Sequence, residues 1–226
     1  MKDKNDKLSQ RRSLLTGMGV AAAGLTVGAG TSIAAEDFEP ARHDLDAWMG
    51  DMTGSHRVFI DSSSGVGGAD ALHFSRNILD SHKSAYGGDD SDYAMILCFR
   101  HYVTVFGYQD SIWEKYGKNF HQMLNYPDPS TGEAPDINLM QSTGRGRMSN
   151  NGVTVDIAQS RGVQIALCNA ATNSIARMLS RAGHGEHADI YKELVDSAIP
   201  GSRFVSAGVM AVTRAQEYGY SVLTAG

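Results

Sequence analysis

The chain has 226 residues, of which 42% are hydrophobic and 20% charged, and a formal net charge of −5. That length can bury a full core in one sizeable α/β domain or two small ones, which excludes a disulfide-stapled miniprotein. No basic patch follows the first dozen residues, which argues against nucleic acid as a partner.

Residues 1–35 read as an export signal. Lys2, Lys4, Lys7, Arg11 and Arg12 make a positive n-region, and no charged residue stands between Arg12 and Glu36. The uncharged stretch is long enough to span a bilayer, but its Gly, Ala, Ser and Thr make it a poor anchor. Ser32 and Ala34 supply the small residues of a cleavage site, with the cut expected after Ala34 or Ala35. Arg11-Arg12, with Ser9 before and Leu14-Leu15 after, resembles a twin-arginine (Tat) signal. The resemblance implies passage through the Tat translocase as a folded protein, to a periplasmic or otherwise exported destination. An N-terminal core helix and an uncleaved anchor are the alternatives. Removing residues 1–35 takes away five basic and two acidic side chains and moves the net charge from −5 to −8.

Residues 36–55 are polar and read as a linker or arm. His56–Ser62 is a short apolar run expected to form a buried strand. The helix after it carries Ala71, Phe74, Ile78 and Leu79 at helical spacing. Tyr93–Phe99 is apolar almost throughout, as a parallel strand covered on both faces should be. A helix is expected from His101 to Tyr116. Residues 117–150 hold three of the five prolines and read as a long inserted loop: a lid, a binding loop or an oligomer contact. A short helix near 153–160 leads to the strand "GVQIALC", the helix "NAATNSIARMLSR" and the helix "EHADIYKELVDSA". "RFVSAG" reads as a strand, "VMAVTRAQEYG" as a helix closed by Gly219, and "YSVLTA" as a final strand. Five alternations of strand and helix predict a three-layer α/β/α domain over 56–226 with a five-stranded, mostly parallel sheet.

In such sheets, sites form beyond the carboxyl ends of the strands. The first strand ends in "SSSGVGGAD", either a tight structural turn or a phosphate or flavin loop. The dinucleotide fingerprint fails at Asp70, and no Gly-Lys-Ser/Thr follows. The second ends in Cys98-Phe99-Arg100-His101; Cys98 reads as a small core residue, and Arg100 and His101 leave the strand where they could set positive charge over a site. The third ends at Cys168, beside the start of a helix. The helix dipole and free amides there favour thiolate, the nucleophilic form of cysteine. His184 and His187 are spaced to grip a metal, although no further ligand lies at convincing spacing, and loop or cap roles serve them as well. No Ser-His-Asp arrangement or paired-acid motif is visible. In an oxidising compartment the two cysteines form either one disulfide or two buried thiols.

"RGVQIALCNAATNSIARM" (161–178) and "IPGSRFVSAGVMAVTRAQEYGYSVL" (199–223) resemble the DsrE/DsrF-like sulfur-relay family, and "HRVFIDSS" and "YAMILCFRHYVTVF" fit its first two strands. The resemblance implies a five-stranded parallel α/β/α fold, a homo-oligomer or hetero-oligomer, and sulfur carried as a persulfide on Cys168, exchanged with a donor or acceptor protein. "TNSIARM" replaces the Arg-Gly that often follows the relay cysteine. Three functions stay open: an exported sulfur carrier or sulfurtransferase using Cys168, a non-catalytic oligomeric module of the same fold, and a metal-binding protein. No organic cofactor is expected.

Overall fold

The apolar run Tyr93–Phe99 forms a strand at the centre of a five-stranded parallel sheet, with six of its seven residues buried. The computed structural model describes residues 39–226; the expected export signal lies outside the described residues. Arg42–Gly226 is one structural unit. Its strands are β1 (His56–Ser62), β2 (Tyr93–Phe99), β3 (Gln164–Cys168), β4 (Arg203–Val205) and β5 (Ser221–Ala225), in spatial order β4-β3-β2-β1-β5. The register sets Asp61 opposite Cys98, Cys98 opposite Ala166 and Cys168 opposite Val205.

The inner strands β1, β2 and β3 bury both faces, so their side chains alternate between two cores, while the edge strands β4 and β5 stay partly exposed. Met95, Leu97 and Phe99 face one core and Ala94, Ile96 and Cys98 the other. The first core is covered by α2 (Gly65–Ser81), α3 (Asp110–Leu124), α5 (Val155–Ser160), α6 (Asn169–Arg181) and α7 (His187–Asp196). The second is covered by the short α1 (Ala47–Asp51), which buries Met49, and by α8 (Gly208–Glu217). The protein is thus a three-layer α/β/α fold with unequal outer layers. Among the described residues no helix is long and apolar enough to cross a membrane.

Three stretches differ from the sequence-based expectation. Residues 44–51, expected within a linker or arm, form a 3-10 turn and α1. Arg57 fastens α1 by donating to the carbonyls of Met49 (2.9 Å) and Met52 (3.1 Å). The helix expected from His101 to Tyr116 is two pieces: a 3-10 segment over His101–Gly107, then α3, which continues to Leu124. The long loop is therefore shorter than expected at its start, and it also contains the single turn α4 (Arg147–Asn150).

That loop is fastened from within. Asn138 is fully buried; its Nδ2 donates to the carbonyls of Phe106 and Tyr108, both at 2.8 Å, and its Oδ1 accepts from Met140 N–H. Asn150 repeats the device on the carbonyls of Leu139 and Ser142. Buried Asp128 accepts from Ser130 and pairs with Arg145. Leu139 and Met140 are thereby held in the first core.

Candidate functional site

Neighbouring strands β3 and β4 send their chains to opposite faces of the sheet. β3 runs into α6, whose Ile175, Ala176 and Leu179 face the first core, while β4 leads to α8, whose Ala211 and Ala215 face the second. Diverging connections open a crevice at the strand ends, the switch point where α/β sheets place ligands. The crevice is a cavity of about 490 Å³, within the range of small-molecule sites.

Cys168 lies at its floor, 6% exposed. It is the N-cap of α6, and its Sγ accepts the backbone N–H of Ala171 at 3.3 Å. A second amide reaches the same sulfur from the other wall: Gly208 N–H, at the start of α8, donates from 3.2 Å. One sulfur thus caps the N-terminal ends of two helices, whose unpaired amides favour an electron-rich acceptor. The two turns are also tied together by Ala170 N–H, which donates to the Ser206 carbonyl at 3.1 Å. Beneath them, Tyr108 donates to Thr172, and Thr172 donates to the Cys168 carbonyl. Burial holds the Tyr108 phenol well above its ordinary range, so it remains a donor.

Gly208 is required by close approach. A Cβ there would stand 2.3 Å from Cβ of Arg100, so only a bare backbone brings the amide to the sulfur beside that side chain.

Arg100 and His101 line the same cavity as Cys168. The positive charge of Arg100 stands at the cavity but is paired. Its Nε and Nη2 donate to the two carboxylate oxygens of Asp61 at 2.6 and 2.9 Å. Asp61 is the last residue but one of β1, with its side chain 8% exposed. The guanidinium is held chiefly by this bidentate bond, which raises its proton affinity further, and its charge is matched. His101 adopts a left-handed backbone, φ 57°, which costs a non-glycine residue of order 1 kcal/mol. It turns the chain sharply out of β2 and packs its ring at a tilt against Tyr102, centroids 4.2 Å apart.

The remaining wall is one stripe of α6: Ala170, Ala171, Ser174, Arg177, Met178 and Arg181, faced by Val209 of α8. Among the described residues no Asp or Glu lines the cavity, although acidic residues outnumber basic ones 25 to 20 in the chain. Among the described residues neither Arg177 nor Arg181 forms an ion pair.

The other candidates lie elsewhere. Both cysteines are free thiols. Cys98 is fully buried, and loss of solvation pushes its thiol well up, reinforced by Asp61 and Cys168 nearby. His187 Nε2 bonds Asn173 Oδ1 at 2.6 Å, and His184 packs edge-on against Tyr116. The two are committed to separate neighbours, and among the described residues no three His, Cys, Asp or Glu side chains come together to hold a metal. The "SSSGVGGAD" turn is structural: Ser64 caps α2 by accepting Gly67 N–H at 2.9 Å. A Cβ on Gly67 would meet the Ala225 carbonyl at 2.4 Å. The 117–150 stretch contributes nothing to the cavity lining.

Compared with protein-family models, curated proteins and solved structures, the chain matches none. Asp61, Gly208, Arg177 and Arg181 escaped sequence reasoning. A lone Asp closing the apolar run "HRVFIDS" was the available signal for Asp61; the others signal only once β3 and β4 are adjacent.

Proposed function

We propose that this is an exported, DsrE-like sulfur carrier in which Cys168 takes up sulfane sulfur as a persulfide. The observation that supports this reading is the pair of backbone amides, from Ala171 and Gly208, directed at one cysteine sulfur on the floor of an open cavity. Fixed N–H donors stabilise charge on an atom that must act as nucleophile and later as leaving group, without rearranging during the reaction. In the proposed step the Cys168 thiolate attacks the outer sulfur of a hydropersulfide, R–S–SH. A new S–S bond forms, the old one breaks, and R–S⁻ leaves to take a proton from solvent. The sulfur moves without any net oxidant or reductant. Asp61–Arg100 sets the wall beside the sulfur, and His101 turns the chain away to leave the cavity open.

The test is mass spectrometry of the reduced protein after incubation with a hydropersulfide donor. A mass gain of one sulfur, retained in Cys98→Ala and lost in Cys168→Ser, is expected. No gain in the folded wild-type protein overturns the reading. The exported destination rests on Arg11-Arg12; a reporter fused to residues 1–40 reaches the periplasm, and changing both arginines to Lys blocks it.

A non-catalytic oligomeric module is the second reading, favoured by the exposed apolar residues Leu45 (80%), Val209 (62%) and Met210 (50%) beside the crevice. Light scattering at micromolar concentration tests it: a monomer rules out the oligomer.

A further inference from the structure

We infer that the cavity selects a small organic anion, with its sulfur against Cys168 and its negative group on Arg177 and Arg181. This inference rests on the sulfur-carrier reading and names its substrate class. Four observations carry it. Arg177 and Arg181 are exposed along the cavity wall. Neither is matched by a carboxylate among the described residues, whereas Arg100, in the same wall, is paired through Nε and Nη2 with Asp61. Among the described residues the lining contains no acid, in a chain of net charge −5. Beside His101, Tyr102 and Ser174, the remaining wall is small or apolar, with Ala171, Met178 and Val209.

The geometry also bounds the ligand's size. Arg177 and Arg181 follow Cys168 by nine and thirteen residues, so their Cα atoms stand about 13 and about 20 Å further along the axis at 1.5 Å per residue. Helical side chains lean back towards the N-terminus, which brings the guanidinium groups nearer the sulfur. At about 3.3–3.6 Å per extended residue, a molecule of tripeptide length or somewhat more, with a thiol or sulfane sulfur at one end and a carboxylate or phosphate at the other, reaches the returning arginine heads. Arginine suits the far end because its planar fork accepts either oxyanion in bidentate fashion.

Two aromatic disulfides of opposite electrostatic character provide the probe: anionic dithiobis(nitrobenzoate) and neutral dithiodipyridine. In each case the Cys168 thiolate attacks a disulfide sulfur, a mixed disulfide forms, the aryl thiolate leaves, and the thiol proton passes to solvent. In a Cys98→Ala background only Cys168 reports. The ratio of the anionic to the neutral rate is expected to fall roughly tenfold in Arg177→Gln/Arg181→Gln, the scale of local electrostatic enrichment of a charged reactant. High salt should lower the same ratio in the parent protein and leave the variant unmoved. Lys192→Gln, an exposed cation outside the cavity lining, should leave it unchanged. An equal ratio in parent and double variant, with Cys168 still reactive, overturns the anion site and leaves the sulfur-carrier reading standing. If Cys168 reacts with neither probe, the sulfur-carrier reading fails. Calorimetric binding of the anionic disulfide to Cys168→Ser then decides the anion site. Binding lost in the arginine double variant supports it, and no binding overturns it.

Discussion

Gly208 donates its backbone N–H to Sγ of Cys168 at 3.2 Å, although 40 positions separate the two in the chain. The contact joins the two strand ends whose connections diverge, so the sulfur's environment depends on tertiary structure and not on its own helix alone. Gly208→Ala sets a methyl group against Cβ of Arg100. A loss of about 1–3 kcal/mol in chemical denaturation is expected, the range for overpacking a close contact. Iodoacetamide labelling of Cys168 should slow in the same variant while it remains folded. Unchanged stability and labelling would show that the two turns are not coupled through this amide.

Asp61 and Arg100 form the second relationship that shapes the crevice. Asp61→Asn removes the charge match and leaves a half-buried guanidinium beside the cavity. A loss of about 2 kcal/mol is expected, below the range for fully buried pairs because Arg100 keeps access to water. The double change Asp61→Asn/Arg100→Gln should recover part of that loss, and the coupling in a double-mutant cycle measures the pair.

Cys98 gives a pH dependence. Its folded-state thiol is raised by burial, so the unfolded chain loses this proton first as pH rises. Above the ordinary thiol value of about 8.5 the unfolded state binds fewer protons than the folded one, and stability must fall with rising pH, by up to about 1.4 kcal/mol per unit. Below that value the contribution is fully present. Urea denaturation of wild type and Cys98→Ala between neutral and alkaline pH should show the steeper decline in wild type. Parallel curves would contradict the burial argument.

Asn138→Ala strands the carbonyls of Phe106 and Tyr108 and the Met140 amide in a buried setting. An expected loss of about 3 kcal/mol follows from leaving buried polar groups without partners. Limited proteolysis should then cut within residues 125–146 well before the rest of the chain. Resistance equal to wild type would mean that the loop holds without this side chain.

Much of the architecture was legible because parallel strands buried on both faces read as unbroken apolar runs. His56–Ser62, Tyr93–Phe99 and Asn169–Arg181 have the boundaries that patterning suggested. Cys168 was legible for the same reason, since an apolar run meeting an Asn-Ala-Ala helix start marks a strand end. His101 was not: its left-handed turn converts an apparent helix start into a 3-10 segment, and nothing in "FRHYVTVF" announces positive φ. The fastening of 125–146 was hidden because Asn138 and Asn150 look like ordinary loop residues until their amides meet carbonyls brought from elsewhere. The arginine stripe was hidden because Arg177 and Arg181 resemble any solvated helix face until α8 supplies the opposite wall.

The position of β5 has a consequence for biogenesis. Its partner is β1, the first strand of the domain, and the register joins Val58–Ser62 to Ser221–Ala225. Synthesis runs from N-terminus to C-terminus, so β1 keeps an open edge while every intervening element is made. It closes only when residue 225 has left the ribosome, the same residue whose carbonyl lies against Gly67. A chain interrupted anywhere before that point displays a bare strand edge of the kind that chaperones bind and that aggregates readily. For a protein proposed to be exported already folded, pairing of β5 with β1 is the step that completes the sheet.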